Sequence, residues 1–251
     1  MKVLGKLTIN TTILIATLCI IASAQAAPKL EEVAERSYLY GLQQAIFYGQ
    51  RWIYTQNNVK DNEIYSGINR IFWVRKQITP DFPVVTPNAT TLYGSGFLDL
   101  EAGPVVIEVP EITDRYFSVQ VMDQYGIFRM IVGSPFNGTS ARKYILVPPG
   151  YDKNLPASFP TTDIVQWQSK TAYIVVRMAV ETGTDKEIKT INHLQDQVTT
   201  TPLAQWIAND YKGWHRQIPK YNLANTLSPK TCPPMPWGKW TNKPLSNTSH
   251  C

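Results

Sequence analysis

The sequence predicts an α+β protein, predominantly β, in which N-terminal helices precede an antiparallel sheet and two C-terminal helices follow it. Three observations lead there. Apolar residues recur at three- and four-residue steps before about residue 55. From Pro83 to Glu181 short runs rich in Val, Ile, Tyr, Phe and Thr are bounded by Gly, Pro, Asn or Asp. After Thr184 the helical period returns. The turn spacing in the middle third fits a meander, a sandwich or a partly closed barrel.

The first segment reads as a secretory leader over residues 1–26. Lys2 and Lys6 form a positive start, Ile13 to Ala22 an apolar run, and Ala24-Gln25-Ala26 a small-x-small cleavage pattern. About ten apolar residues fall short of the roughly 20 that span a bilayer, which disfavours the alternative of an uncleaved anchor. Cleavage after Ala26 and a periplasmic or secreted product are expected. Losing the leader lowers the formal charge from +5 to +3. No run of Lys or Arg concentrates that charge, so a nucleic-acid partner is not expected.

Residues 27–218 read as a single domain. Leu30, Val33, Ala34, Tyr38, Leu42, Ala45, Ile46 and Ile53 predict a long helix over 30–54. Ala34, Ser37, Gly41, Ala45 and Gly49 form a line of small residues on it, a pattern that usually permits close packing of another element. Ile64 to Ile78 is expected to form a second, shorter helix before Pro80. Strands follow at Thr91–Leu98, Val105–Val109, Arg115–Asp123, Phe128–Val132, Lys143–Val147, Ile164–Trp167 and Thr171–Glu181. The short connections Glu101–Pro104 and Glu111–Asp114 favour antiparallel neighbours.

In the Arg115–Asp123 strand, Phe117, Val119 and Val121 fall on one face, while Tyr116, Ser118, Gln120 and Met122 fall on the other. Arg115 and Asp123 stand about 26 Å apart along it, so each needs its own partner. Thr184 with Glu187 forms a capping box for a helix striped by Ile188, Ile191, Leu194 and Val198. Thr201 with Pro202 starts another, which buries Leu203, Trp206, Ile207 and Tyr211. Residues 219–251 read as a Pro-rich irregular tail. In an oxidising compartment its cysteines, Cys232 and Cys251, either pair or remain two free thiols.

Signatures of known chemistry are sparse. The histidines are His193, His215 and His250, without the spacing of a zinc site, and no metal or cofactor is expected. Gly94-Ser95-Gly96 is not a nucleophile elbow; paired glycines inside a strand mark close backbone approach. Ser140 and Lys143 match Ser-x-x-Lys, a spacing that chance supplies about once in a chain of this composition. Asp99, Glu101, Glu108, Asp114, Asp123 and Glu181 lie near strands, where two carboxylates at the right separation could hydrolyse a glycoside. The aromatics, 13 Tyr, 7 Trp and 8 Phe, suit a core and also suit sugars or other small amphipathic ligands.

"TPNATTLYGSGFLDLEAGPVVIEVP" from Thr86, "DRYFSVQVMDQYG" from Asp114 and "YILVPPGY" from Tyr144 resemble, in order and spacing, the domain-of-unknown-function 1254 family. The resemblance runs from Leu30 to Trp206. Its pattern maps onto Pro87, Asn88, Thr91, Tyr93, Asp99, Leu100, Pro104, Pro110, Arg115, Tyr116, Met122 and Asp123. Thr90 stands where the family usually has an acid. The resemblance also implies a second β-rich domain, for which the roughly 45 residues after Trp206 leave no room. It implies a fold and an exported setting but no reaction. The polar residues it selects, Asn88, Tyr93, Asp99, Arg115 and Asp123, are the candidate ligand-binding set. A non-catalytic module that binds a carbohydrate or small molecule is the expected function; a polysaccharide hydrolase or lyase using carboxylates and Tyr is the alternative.

Overall fold

A computed structural model describes residues 29–55, 66–79, 88–157, 159 and 163–213. The leader, Pro87, His215 and the tail with Cys232, His250 and Cys251 lie outside them. The fold is α+β with more strand than helix. Its elements are α1 (Leu30–Thr55), β1 (Phe72–Trp73), β2 (Thr91–Asp99), β3 (Val105–Val109), β4 (Phe117–Met122), β5 (Phe128–Gly133), β6 (Arg142–Val147), β7 (Ile164–Gln166), β8 (Thr171–Ala179), α2 (Asp185–Gln197), β9 (Thr199–Pro202) and α3 (Leu203–Ala208). The chain divides into two compact units, one ending at Leu42 and one beginning at Gln43.

In the larger unit two sheets stack. Sheet A has the order β1-β2-β8-β4-β5 and is antiparallel throughout; sheet B has the order β7-β6-β3-β9, with β6 and β7 parallel. Alternation of side chains sets their faces. Leu92 and Leu98 of β2, Val105, Ile107 and Val109 of β3, Val119 and Val121 of β4, and Ile174 and Val176 of β8 point inward and form one buried core. Phe97, with Phe47 of α1 and Ile68, forms a second cluster on the outer side of sheet A. Val106, Ile145 and Val147, with Phe159, Leu203 and Trp206, form a third on the outer side of sheet B. Within the larger unit the sandwich is thus covered by the part of α1 that carries Phe47 on one side and by α3 on the other.

Several expectations need correcting. The connections Glu101–Pro104 and Glu111–Asp114 do not join neighbouring strands: β2 and β4 lie in sheet A and β3 in sheet B, so both cross between sheets. Their shortness reflects the spacing of two packed layers, roughly 10 Å. The described part of Ile64–Ile78 is no helix. Phe72 and Trp73 pair with Ser95 and Gly94 as the edge strand β1, because the two glycine positions leave room for that chain. Thr199–Pro202 is the strand β9, and the helix expected from Thr201 and Pro202 begins just after it, at Leu203 with Pro202 as its N-cap. The small-residue line on α1 serves no close packing at Gly41 or Gly49, which have nothing within 4 Å of a Cβ. The buried side of α1 carries Phe47 and Thr55, while Leu30, Val33, Tyr38 and Ile46 of the expected stripe are exposed. Ile207 and Tyr211 are exposed as well.

At α2, Thr184 Oγ1 accepts from the Glu187 amide, as a capping box requires. The reciprocal bond is different: Glu187 reaches back to the amides of Glu181, Thr182 and Gly183 and so gathers the whole β8–α2 turn.

Candidate functional site: a groove on the outer face of sheet B

The five residues selected from sequence do not meet. Thr91 pairs with Ala179 and Asp99 with Thr171, so β2 runs about 26 Å between those ends. Asn88 and Arg115 lie at the first end, Asp99 and Asp123 at the other. Asn88 forms a turn: its Oδ1 accepts from the Thr90 amide and hydroxyl, both at 2.8 Å. Thr90, where the family usually has an acid, thereby closes that turn. Tyr93 faces outward from sheet A, with the Arg177 guanidinium 5.6 Å from its ring. Asp99 Oδ1 accepts from the Glu101 amide. Arg115 bonds Asp114 and Glu187. Asp123 bonds Arg129 and two amides of the β4–β5 turn. The requirement of separate partners for Arg115 and Asp123 is therefore met.

Between Tyr93 and Asp99, Ser95 also faces outward and shares a 2.8 Å hydrogen bond with Tyr54 of α1. Burial above all pushes the neighbouring Tyr173 phenol well above its ordinary range.

A groove of about 1180 Å3 lies instead on the outer face of sheet B. Its floor is built by strand register. Thr199 of β9, Glu108 of β3 and Lys143 of β6 are Cα partners in one row across three strands. Alternation along β3 puts Glu108 on the face opposite Ile107 and Val109, hence away from the core. Thr199 Oγ1 donates to Glu108 Oε2 at 2.8 Å, and Lys143 Nζ lies 3.2 Å from Glu108 Oε1. A Cβ at Gly213 would strike the Glu108 carboxylate and the Thr199 side chain, so the backbone crosses this row where only glycine fits.

An aromatic wall rises beside the row. Phe159 and Tyr211 flank the indole of Trp206 with ring centroids 5.4 and 5.2 Å away. Lys143 Nζ sits 5.1 Å from the Trp206 ring, a cation–π contact. Trp206 is buried, yet its indole N–H has no hydrogen-bond partner among the described residues. An orphan of this kind costs about 1–3 kcal/mol. At the rim, Arg142 Nη2 bonds Asp163 Oδ1 at 2.8 Å and Nε bonds Oδ2 at 3.1 Å. That bond holds the Arg142 pKa above its ordinary value. Both acids of the groove are thus engaged by cations. Among the described residues no group of three or more His, Cys, Asp or Glu could hold a metal ion. Nor is any described helix long and apolar enough to cross a membrane.

Sequence reasoning assigned Trp206 and Tyr211 to a helix core and left Glu108 among scattered acids. A signal was present: Glu108 is the one charge in the strand VVIEV, at an outward position. Its partners could not be read, because Thr199 lies 91 residues away and its strand was not foreseen between the two C-terminal helices.

The fold is similar to that of the VPA0106 protein from Vibrio parahaemolyticus, at 22% identity and a TM-score of 0.54 over 76% of this chain and 43% of that one. An uncharacterised protein from Burkholderia cenocepacia aligns at 13% identity and a TM-score of 0.33, over 79% of this chain and 48% of the other. The chain therefore spans less than half the length of each. No curated protein matches it. The family model for proteins of unknown function DUF1254 matches residues 68–202, the stretch from the bridge before β1 to the end of β9, and the chain belongs to that family.

Proposed function

We propose that the protein is an exported, non-catalytic binding module that takes a polyhydroxylated small ligand, a neutral saccharide, in the groove on sheet B. The leader at residues 1–26 supports export. The observation that carries the binding reading is the pairing of an aromatic wall with a polar row whose charges are already matched. Tyr211, half exposed and packed edge-on against the buried Trp206, offers a flat apolar face to a sugar ring. The pairs Glu108–Lys143 and Asp163–Arg142 offer fixed donors and acceptors to its hydroxyls. A neutral ligand satisfies such pairs without breaking them, whereas a strongly charged one competes with an existing partner.

The same engagement argues against acid–base work, since Glu108 and Asp163 each have a cation within 3.2 Å. The second reading, a glycoside hydrolase or lyase, draws on the fact that both carboxylates line one groove.

Calorimetric titration of the full chain with a panel of neutral and acidic oligosaccharides separates these readings. Binding of a neutral member, weakened at least tenfold by Tyr211→Ala or Lys143→Ala and without new reducing ends or unsaturated products, is expected. Absence of binding across the panel would remove the reading. Turnover abolished by Glu108→Gln would transfer the case to hydrolysis or elimination.

A further inference from the structure

Arg51 differs from the other arginines that form ion pairs. It lies in the second half of α1, on the outer side of sheet A, with only 14% of its side chain exposed. The nearest carboxylate oxygen, Asp99 Oδ2, is 3.8 Å away, beyond hydrogen-bonding distance. Arg75, Arg115, Arg129 and Arg142 hold their carboxylates at 2.6–3.0 Å. Among the described residues the Arg51 guanidinium donates no hydrogen bond, and its fully buried Nε has no partner.

A guanidinium carries five N–H groups in a rigid planar fork. Burying that charge with its donors unused is costly, and an ion pair without hydrogen bonds recovers little of the cost. Asp99 does not supply them: its Oδ1 is turned to the Glu101 amide at 2.9 Å. One turn earlier on α1, Phe47 stacks edge-to-face on Phe97 of β2 at 5.2 Å. One turn further along α1, the Tyr54 hydroxyl is already committed to Ser95. The unused fork is therefore a local feature of Arg51.

We infer that Arg51 anchors a binding site for a small oxyanion, a carboxylate or phosphate group, between α1 and the end of β2. The planar fork matches two coplanar oxygens of such a group, which turns unused donors into charge-assisted hydrogen bonds. The exposed seventh of the side chain is the way in, so the ligand presents one small anionic group rather than a flat face. Asp99 tunes the site by competing for the same charge. This site is on the opposite side of the sandwich from the sheet B groove and does not depend on it.

Thermal melting of the full chain tests this in sodium acetate, sodium phosphate and sodium chloride at matched ionic strength. One oxyanion should raise Tm by about 3 °C over chloride. The acetate and phosphate arms decide which group is preferred. Arg51→Met, which keeps length and removes charge, should abolish the difference. Asp99→Asn should enlarge it and covers the case in which Arg51→Met fails to fold. No oxyanion response in the wild type, an equal response in Arg51→Met, or a response unchanged or lost in Asp99→Asn would each overturn the site.

Discussion

Arg115 Nη1 and Glu187 Oε1 meet at 3.0 Å, tying the start of β4 to the first turn of α2. Glu187 also accepts from the amides of Glu181, Thr182 and Gly183 and from the Thr182 hydroxyl, each at 2.8 Å. One carboxylate thereby closes a turn, caps a helix and neutralises a buried guanidinium.

Acid should weaken this junction. The Glu181 amide foremost, then the Thr182 and Gly183 groups, lower the Glu187 pKa from 4.5 to about 2. Asp114 is lowered too, chiefly by its hydrogen bond to Arg115. A depressed folded-state value means that the stabilisation is fully present above about pH 4.5 and is lost as pH falls towards 2. Urea midpoints of the wild type should therefore drop between pH 4.5 and 2.5. Glu187→Gln should cost about 2 kcal/mol at pH 7 and flatten that slope. An unchanged slope would show that the charge on Glu187 does not act as described.

Two glycines should respond oppositely to alanine. A Cβ at Gly96 would fall on the Arg70 carbonyl oxygen, where β2 and the preceding segment lie against each other. Backbone cannot move aside as a flexible side chain can, so Gly96→Ala should cost about 3 kcal/mol or abolish folding. Gly49 lies inside α1 with nothing within 4 Å. Gly49→Ala should stabilise by up to about 1 kcal/mol through helix propensity. Melting temperatures of the two variants check both signs.

The sandwich was legible where chemistry is local. Strand alternation placed Phe117, Val119 and Val121 on one face of β4, and all three lie in the buried core between the sheets. Thr184 acts through a partner three residues away, and its cap chemistry was readable for that reason. What was missed is non-local. The sheet to which β3 belongs depends on β9, about 95 residues later, and β9 is a short threonine run that ends in the proline opening the next helix. The groove row of Thr199, Glu108 and Lys143 inherits the same difficulty, since it exists only through register.

The Asn88 turn should prove structural rather than reactive. Its Oδ1 satisfies the Thr90 amide at the entry to β2. Asn88→Ala should cost about 1 kcal/mol, a fall in Tm of about 3 °C. Ligand affinity at the sheet B groove should stay within twofold of wild type. Unchanged melting with binding lost would instead make this turn part of a site.

Asp123 should behave as a buried anchor whose value depends on Arg129. The carboxylate is 1% exposed and accepts from the Tyr125 and Ile127 amides at 2.9 and 3.1 Å and from Arg129 Nε at 2.6 Å. It thus organises the β4–β5 turn, where Gly126 adopts φ +79°. Asp123→Ala removes three hydrogen bonds and leaves two amides and a partly buried guanidinium unpaired, so a loss of about 3–5 kcal/mol is expected. Arg129→Ala should cost less, about 2 kcal/mol, because the two amide bonds remain. The double variant should be less destabilised than the sum of the two, since the second substitution removes a group already stranded by the first. Chemical denaturation of the four proteins measures that coupling. Additive losses would mean that Asp123 and Arg129 act independently, and the turn would then rest on the amide bonds alone.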